Sequence, residues 1–210
     1  VVCAAPLYGK KNERWVIEWL SYHKHIGINK IILPVFDSSD NFKKIFNYFS
    51  KDDFLEIIDW DSEHTNGISS TAYEHGKLEA WNLCAARYSP HTSWLLFIDI
   101  DELLFVNNNI IDFTKSLENN YLNNYEAFSL KSKTVVSVFQ EPKTGSLLLD
   151  QYAHVEEIPL CPFNCGRYHK GREKYIIRGD RDVDDLLWTY SLYGIGGYKL
   201  ADRTMKLLPE

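Results

Sequence analysis

Cysteine is scarce, long apolar runs are absent and positive charge is nowhere concentrated. Of the four cysteines, Cys161-Pro-Phe-Asn-Cys165 has the spacing of a local disulfide or half a metal site. No second Cys/His pair at zinc spacing accompanies it, so a zinc module is disfavoured. The cysteine usage, Cys3, Cys84, Cys161 and Cys165, reads as reduced thiols in a cytoplasmic protein. No segment approaches the roughly 18 apolar residues of a membrane span. The opening Val1-Val2-Cys3-Ala4-Ala5-Pro6 lacks the basic flank and apolar length of a signal peptide. Lys and Arg total 23 against 29 Asp and Glu, a net charge of −6 with no basic block, which argues against a nucleic-acid surface. Neither Gly-x-Gly-x-x-Gly after the first strand nor a Gly-Lys-Ser/Thr loop occurs, which disfavours a dinucleotide fold and a P-loop. There is no internal repeat or low-complexity tract.

What remains is a chain of 210 residues, 45% hydrophobic and 14% aromatic, enough for one domain with a real core. Its first half alternates strand and helix. Val1 to Leu7 reads as a buried strand; Asn12 is placed to cap a helix carrying Trp15, Val16, Trp19, Leu20 and His23, with Gly27 as its stop. His23 and His25 fit core or interface packing rather than ligation. Lys30 to Phe36 is a second strand, irregular at Pro34, followed by Asp37-Ser38-Ser39-Asp40 and a helix with Phe42, Ile45, Phe46 and Phe49 inward. Phe54 to Trp60 is a third strand. Thr71-Ala72-Tyr73-Glu74 has the capping-box pattern and opens a helix with Leu78, Trp81, Ala85 and Tyr88 on one side. The series β-α-β-α-β-α-β with short connections predicts an α/β fold with a parallel sheet and helices on both faces.

The fourth strand, Ser93 to Phe105, carries the chemistry. An apolar run ends in Asp99-Ile100-Asp101-Glu102. Acids at the end of a buried strand are costly unless something cationic neutralises them. Asp-x-Asp on an extended backbone puts two carboxylates on one side, an oxygen donor set suited to Mg²⁺ or Mn²⁺ with bound phosphates completing the shell. The plain alternative is a strand ending in a solvated acidic turn. In parallel sheets ligands bind beyond the carboxyl ends of the strands. Those ends here bear Pro6-Leu7-Tyr8, Asp37 to Asp40, Asp59-Trp60-Asp61 and Asp99 to Glu102. The second half is less regular: a helix over Ile110 to Tyr121, strands within Ala127 to Phe139 and Ser146 to Tyr152, a strand Lys174 to Arg178 with Lys174 and Arg178 on one face, a helix over Asp182 to Tyr190, and a loop at Gly194 to Gly197.

These blocks resemble family 92-type glycosyltransferases and their relatives. Lys11-Asn12-Glu13, Trp15 to His23 and Ile26-Gly27 match the family's opening block, Phe36 to Asp40 its Asp/Ser-rich loop, and Trp94 to Glu102 its "W..F.D.DE" block. Lys77-Leu78-Glu79-Ala80-Trp81-Asn82-Leu83-Cys84 stands at the family's Q-x-x-A-x-N-x-C, with Lys77 for Gln, and Lys174, Ile176 and Arg178 match K-x-I-x-R. The family's late His is missing: none follows His169. A compact domain of this kind also resembles glycosyltransferase modules of large algal viruses. The resemblance implies a GT-A fold over 1–210, with residues 1–105 as nucleotide-binding half and 106–210 as acceptor-binding half, within a longer chain. It implies transfer of a hexose or deoxyhexose from a nucleotide-diphosphate sugar, UDP-sugar first, to a glycan or glycoprotein, with Mn²⁺ or Mg²⁺. Asp101 would be the direct metal ligand, with Asp99 toward the ribose and metal; Ala5, Pro6, Tyr8 and Asp37 would hold base and ribose; Lys174 or Arg178 would meet phosphate, and Lys77, in place of Gln, is counted among the donor-binding residues. If the reaction inverts, Asp150 is the first candidate base, ahead of Glu156 and Glu157. Trp60, Tyr152, Trp188 and Tyr193 are candidate sugar platforms.

Two rivals remain. A phosphatase with an Asp-x-Asp nucleophile needs the motif after the first strand, and here the strand is the fourth with Leu103 two residues on. A non-catalytic nucleotide- or carbohydrate-binding module fits the missing late His but not the intact Asp99/Asp101 pair.

Overall fold

The computed structural model describes residues 1–9, 12–36, 40–60, 76–121, 127–130, 135–136, 154–155, 174–179 and 206–207. In chain order the elements are β1 (Val2–Ala4), α1 (Glu13–His25), β2 (Ile31–Val35), α2 (Asp40–Phe49), β3 (Leu55–Asp59), α3 (Lys77–Tyr88), β4 (Trp94–Ile98), α4 (Ile110–Tyr121), β5 (Ala127–Leu130), β6 (Val135–Val136), β7 (His154–Val155), β8 (Lys174–Arg178) and β9 (Lys206–Leu207). The seven-stranded sheet has the order β3-β2-β1-β4-β8-β5-β9. From β3 to β4 all neighbours are parallel. β8 then runs antiparallel to both β4 and β5. The expected α/β architecture, a mostly parallel sheet flanked by helices, is therefore what the chain adopts.

Local chemistry accounts for the elements. The Asn12 side chain accepts from the Arg14 N–H at 3.0 Å, capping α1 as its position suggested. Gly27 follows α1 at φ +92°, a backbone region that costs glycine little and other residues more. In α2, Phe42, Phe46 and Phe49 are buried, one stripe of a helix whose other face is wet. Strands β1, β2 and β4 are buried along their whole length, as continuous apolar runs require. At Gly179, just past β8, an added methyl would overlap the Thr92 carbonyl, so the backbones approach as closely as only glycine permits.

Alternation along the strands divides the core in two. Val2, Ala4, Ile31, Leu33, Leu96 and Ile98 face the layer of α1, α2 and α4. Cys3, Ile32, Leu95 and Phe97 face α3, with Trp81, Cys84 and Ala85. The expectation of reduced thiols is overturned on this second face: Cys3 and Cys84 form a buried disulfide, Cα atoms 5.8 Å apart. Sequence spacing could not show that β1 and α3 pack together, and only that packing brings the two sulfurs within bonding reach. The cross-link closes 81 residues of separation, worth about 4 kcal/mol on a chain-entropy account.

The fourth strand is shorter than its sequence implied. Pairing ends at Ile98, and Asp99 to Asp101 form a turn rather than continuing extended. The strand Ser146 to Tyr152, the helix Asp182 to Tyr190, the Gly194 to Gly197 loop, the Thr71 to Glu74 cap and the Cys161/Cys165 pair lie outside the described residues.

Breaking the disulfide tests its weight. Cys84→Ala should lower the thermal midpoint by several degrees relative to the oxidised wild type, and reductant should lower the wild type toward the variant while leaving the variant unchanged. Differential scanning calorimetry with and without reductant reads both.

Candidate active site at the carboxyl end of the central strands

The sheet order reverses at β1: β2 lies on one side and β4 on the other. Such a point leaves a crevice beyond the carboxyl ends of the two strands. The Ala5 N–H donates to the Ile98 carbonyl at 3.0 Å, so Ala5, Pro6 and Tyr8 leave β1 directly beside the turn that leaves β4. Ala5 and Pro6 are buried and Tyr8 half-buried. Lys77 is the first residue of α3 and Lys174 the first of β8, and both arrive at the same turn.

Their ammonium groups converge on Asp99. Lys77 Nζ pairs with Asp99 Oδ1, and Lys174 Nζ lies 2.8 Å from Oδ2. Lys174 also meets Glu102 Oε1 at 2.8 Å, while the other Glu102 oxygen accepts the Asp99 N–H at 2.9 Å. Lys77 Nζ sits 4.8 Å from the centre of the Trp81 ring. Both lysines are buried, at 5% and 9% exposure, which marks a built cluster rather than surface pairing. Burial pushes the Asp99 carboxyl up, but Lys174 and Lys77 outweigh it and hold it below the usual range. Burial and the neighbouring Asp99 push Glu102 up, against Lys174. Burial pushes Lys174 down, and Asp99 with Glu102 reverse that, so its pKa rises.

Asp101 is different. It is exposed, and no described ion pair or hydrogen bond engages it. The two acids of Asp-x-Asp are therefore not equivalent, as an extended backbone would have made them. The turn, closed by the Glu102 N–H to the Asp99 carbonyl at 3.1 Å, turns Asp99 toward the lysines and leaves Asp101 to solvent.

The opposite side of the turn is held by α1. The Trp19 indole N–H donates to the Glu102 carbonyl at 2.7 Å, and the Tyr22 hydroxyl donates to the Leu104 carbonyl at 2.8 Å. His23, fully buried, contacts the Trp19 carbonyl through Nδ1 at 2.8 Å and the Leu104 N–H through Nε2 at 3.5 Å. Because Trp19 O can only accept, Nδ1 carries the proton and Nε2 is the acceptor. Burial pushes the imidazole pKa down to about 4, opposed by the bond to Trp19. His23 is thus a neutral packing and hydrogen-bonding residue, as its place in the stripe implied. The link from Trp19 and Tyr22 to the acidic turn carried no sequence signal beyond their shared block.

Not every expected residue reaches the site. Arg178 lies opposite Trp94, at the far end of β4 from Asp99, while Tyr175 lies opposite Phe97. One strand separates Lys174 from Arg178 by four residues, about 13 Å, so sharing a face does not make them neighbours. Trp60 is 2% exposed and offers no open platform for a sugar. Asp37, Asp150, Tyr152, Glu156, Glu157, Trp188 and Tyr193 lie outside the described residues. Among the described residues no group of three His, Cys, Asp or Glu is arranged to hold a metal.

The model of glycosyltransferase family 92 matches residues 1–183. The chain belongs to glycosyltransferase family 92. Among curated relatives of this family 92 domain, galactan beta-1,4-galactosyltransferase GALS3 of Arabidopsis thaliana is 27% identical over 108 residues, 50% of this chain and 20% of the relative. The chain thus spans about a fifth of that relative's length. Among solved structures, 4-diphosphocytidyl-2C-methyl-D-erythritol synthase from Anaerococcus prevotii aligns over 99% of this chain and 84% of its own, with TM-score 0.46 and 15% identity. No helix among the described residues is long and apolar enough to cross a membrane.

The buried imidazole makes stability pH-dependent. The folded state binds its proton only near pH 4, whereas an unfolded His binds it near 6.5. Stability is therefore fully present above about 6.5 and declines as pH falls toward 4, by up to about 3 kcal/mol. Urea unfolding of the family 92 domain at pH 7, 6, 5 and 4 should show that decline, and His23→Gln should flatten it in this window.

Proposed function

We propose that this family 92 domain transfers a hexose or deoxyhexose from a nucleotide-diphosphate sugar, UDP-sugar first, to a glycan or glycoprotein acceptor. The observation that carries the reading is the buried Lys77–Asp99–Lys174 cluster at the sheet's reversal point, with Asp101 open beside it. A cleft fitted to a diphosphate needs positive charge at the strand ends, and two ammonium groups are anchored there. The galactosyltransferase relative supports a hexose.

The residues also fit Mn²⁺ or Mg²⁺ of the kind held largely by phosphates and water, which takes one or two carboxylates from the protein. Asp101 would hold it, being exposed and uncommitted, while both Asp99 oxygens are turned to lysines. A cation there would neutralise charge growing on the diphosphate leaving group. The chain's own residues do the rest. Lys174 and Lys77 oppose the same negative charge from the protein side, and Asp99 fixes where they stand. Ala5, Pro6 and Tyr8 line the neighbouring strand end for base and ribose, with Asp37 assigned there on family resemblance. Asp150 is the proposed base for the acceptor hydroxyl if the anomeric centre inverts. Arg178 is left out of the phosphate site. A buried disulfide favours folding in an oxidising compartment over the cytoplasm that the cysteine usage suggested.

Asp101→Ala should weaken Mn²⁺-dependent binding of UDP at least tenfold and leave the thermal midpoint within a degree or two, since the side chain is exposed. Isothermal titration calorimetry with unchanged Mn²⁺-dependent affinity would sink the assignment. Release of free nucleoside diphosphate across a panel of donor sugars establishes transfer, whereas binding without any turnover identifies a nucleotide-binding module instead.

A further inference from the structure

The acidic turn is gripped from two sides, and only one grip is electrostatic. From α3 and β8, Lys77 and Lys174 tie Asp99 and Glu102 through ion pairs. On the α1 face, three side chains from one turn of helix, Trp19, Tyr22 and His23, reach backbone atoms of Glu102 and Leu104. We infer that Trp19, Tyr22 and His23 are positioning residues for the acidic turn, setting its backbone so that Asp101 is presented beside the lysine cluster.

The geometry explains why this helix must supply such groups. Once β4 stops pairing at Ile98, the carbonyls of Glu102 and Leu104 and the N–H of Leu104 lose ladder partners next to a buried core. Buried backbone groups without partners are costly, so side chains must supply what the sheet no longer does. Positions 19, 22 and 23 lie on one face of α1, at i, i+3 and i+4, so a single helix can serve all of them. The three rings also brace one another: Trp19 and His23 centroids are 4.5 Å apart, and Tyr22 stands edge-on to His23 at 5.4 Å. His23 further ties the helix to itself through the Trp19 carbonyl. A rigid block of rings therefore faces the turn. Among the described residues no hydrogen bond or ion pair fixes the Asp101 side chain, so its position follows from that of its backbone.

The functional half of this inference rests on the donor-site reading, and the experiment separates the two. Tyr22→Phe removes one donor with little change of ring volume, and Trp19→Phe removes one donor together with part of a buried ring. Trp94→Phe is the matched control: it removes an indole hydrogen bond to Glu118, 3.0 Å long, at the other end of β4. Hydrogen exchange read by mass spectrometry should show amides of the 99–104 segment exchanging about tenfold faster in Tyr22→Phe and Trp19→Phe, and unchanged in Trp94→Phe. Calorimetry with UDP and MnCl₂ should show affinity falling about tenfold in the first two variants. Trp94→Phe should keep wild-type affinity even where its thermal midpoint falls as far, which a merely structural role for Trp19 and Tyr22 would not allow. Unchanged exchange in the segment overturns the inference, as does faster exchange with wild-type affinity. If the wild type has no affinity for UDP with Mn²⁺, the donor-site reading falls, and the exchange data alone decide whether α1 sets the turn.

Discussion

A carboxylate at the mouth of a packed sheet has to be compensated, and much of this domain is arranged around compensating Asp99. Lys77 comes from the start of α3 and Lys174 from the start of β8. Asp99 and Glu102 keep Lys174 charged against its burial, and the two lysines keep Asp99 ionised against its own. Removing one member of such a buried group characteristically costs about 3–5 kcal/mol, because the others are left uncompensated. The cluster therefore ties α3 and the end of β4, neighbours in the chain, to β8, 75 positions on. It is also why β8 enters the sheet antiparallel beside β4: only that direction brings its first residue to the carboxyl end of its neighbour.

Two further constraints hold the same region. The Cys3–Cys84 disulfide joins the central strand β1 to α3, the helix that begins with Lys77. From the opposite face α1 lays Trp19, Tyr22 and His23 against the turn after β4. The turn is thus fixed by charge on one side and by backbone hydrogen bonds on the other. Asp101, between these grips, is the acid left open to solvent. That division of labour suits the proposed donor site, where one carboxylate stays available while the charges around it are preset.

The sequence pattern made the first half of the fold readable because each signal was local. Asn12 caps where an N-cap was expected, Gly27 ends α1, and the phenylalanines of α2 face inward. Continuous apolar runs implied strands buried on both faces, and the alternation of strands with helices implied their parallel pairing. The candidate site was legible in part for the same reason: Ala5, Lys77, Asp99 and Lys174 were picked out by motif and do meet at one rim. Arg178 failed because period-two alternation reports the face of a strand and not the position along it. Trp60 failed because burial depends on what packs around a ring, which the chain decides only when folded.

What the sequence determined by itself is the order of elements from β1 to α4, their apolar faces and the acidic end of the fourth strand, since all three follow from neighbours in the chain. The tertiary structure alone decided that Cys3 meets Cys84, that α1 supplies the hydrogen bonds missing after Ile98, and that Asp99 and Asp101 part company. Each of these depends on contacts between residues some 80 positions apart. The acidic stretch is written as a symmetric pair of aspartates. It becomes asymmetric because the backbone turns at Asp99, and the lysines that take that one carboxylate come from α3, just before β4, and from β8, 75 positions on.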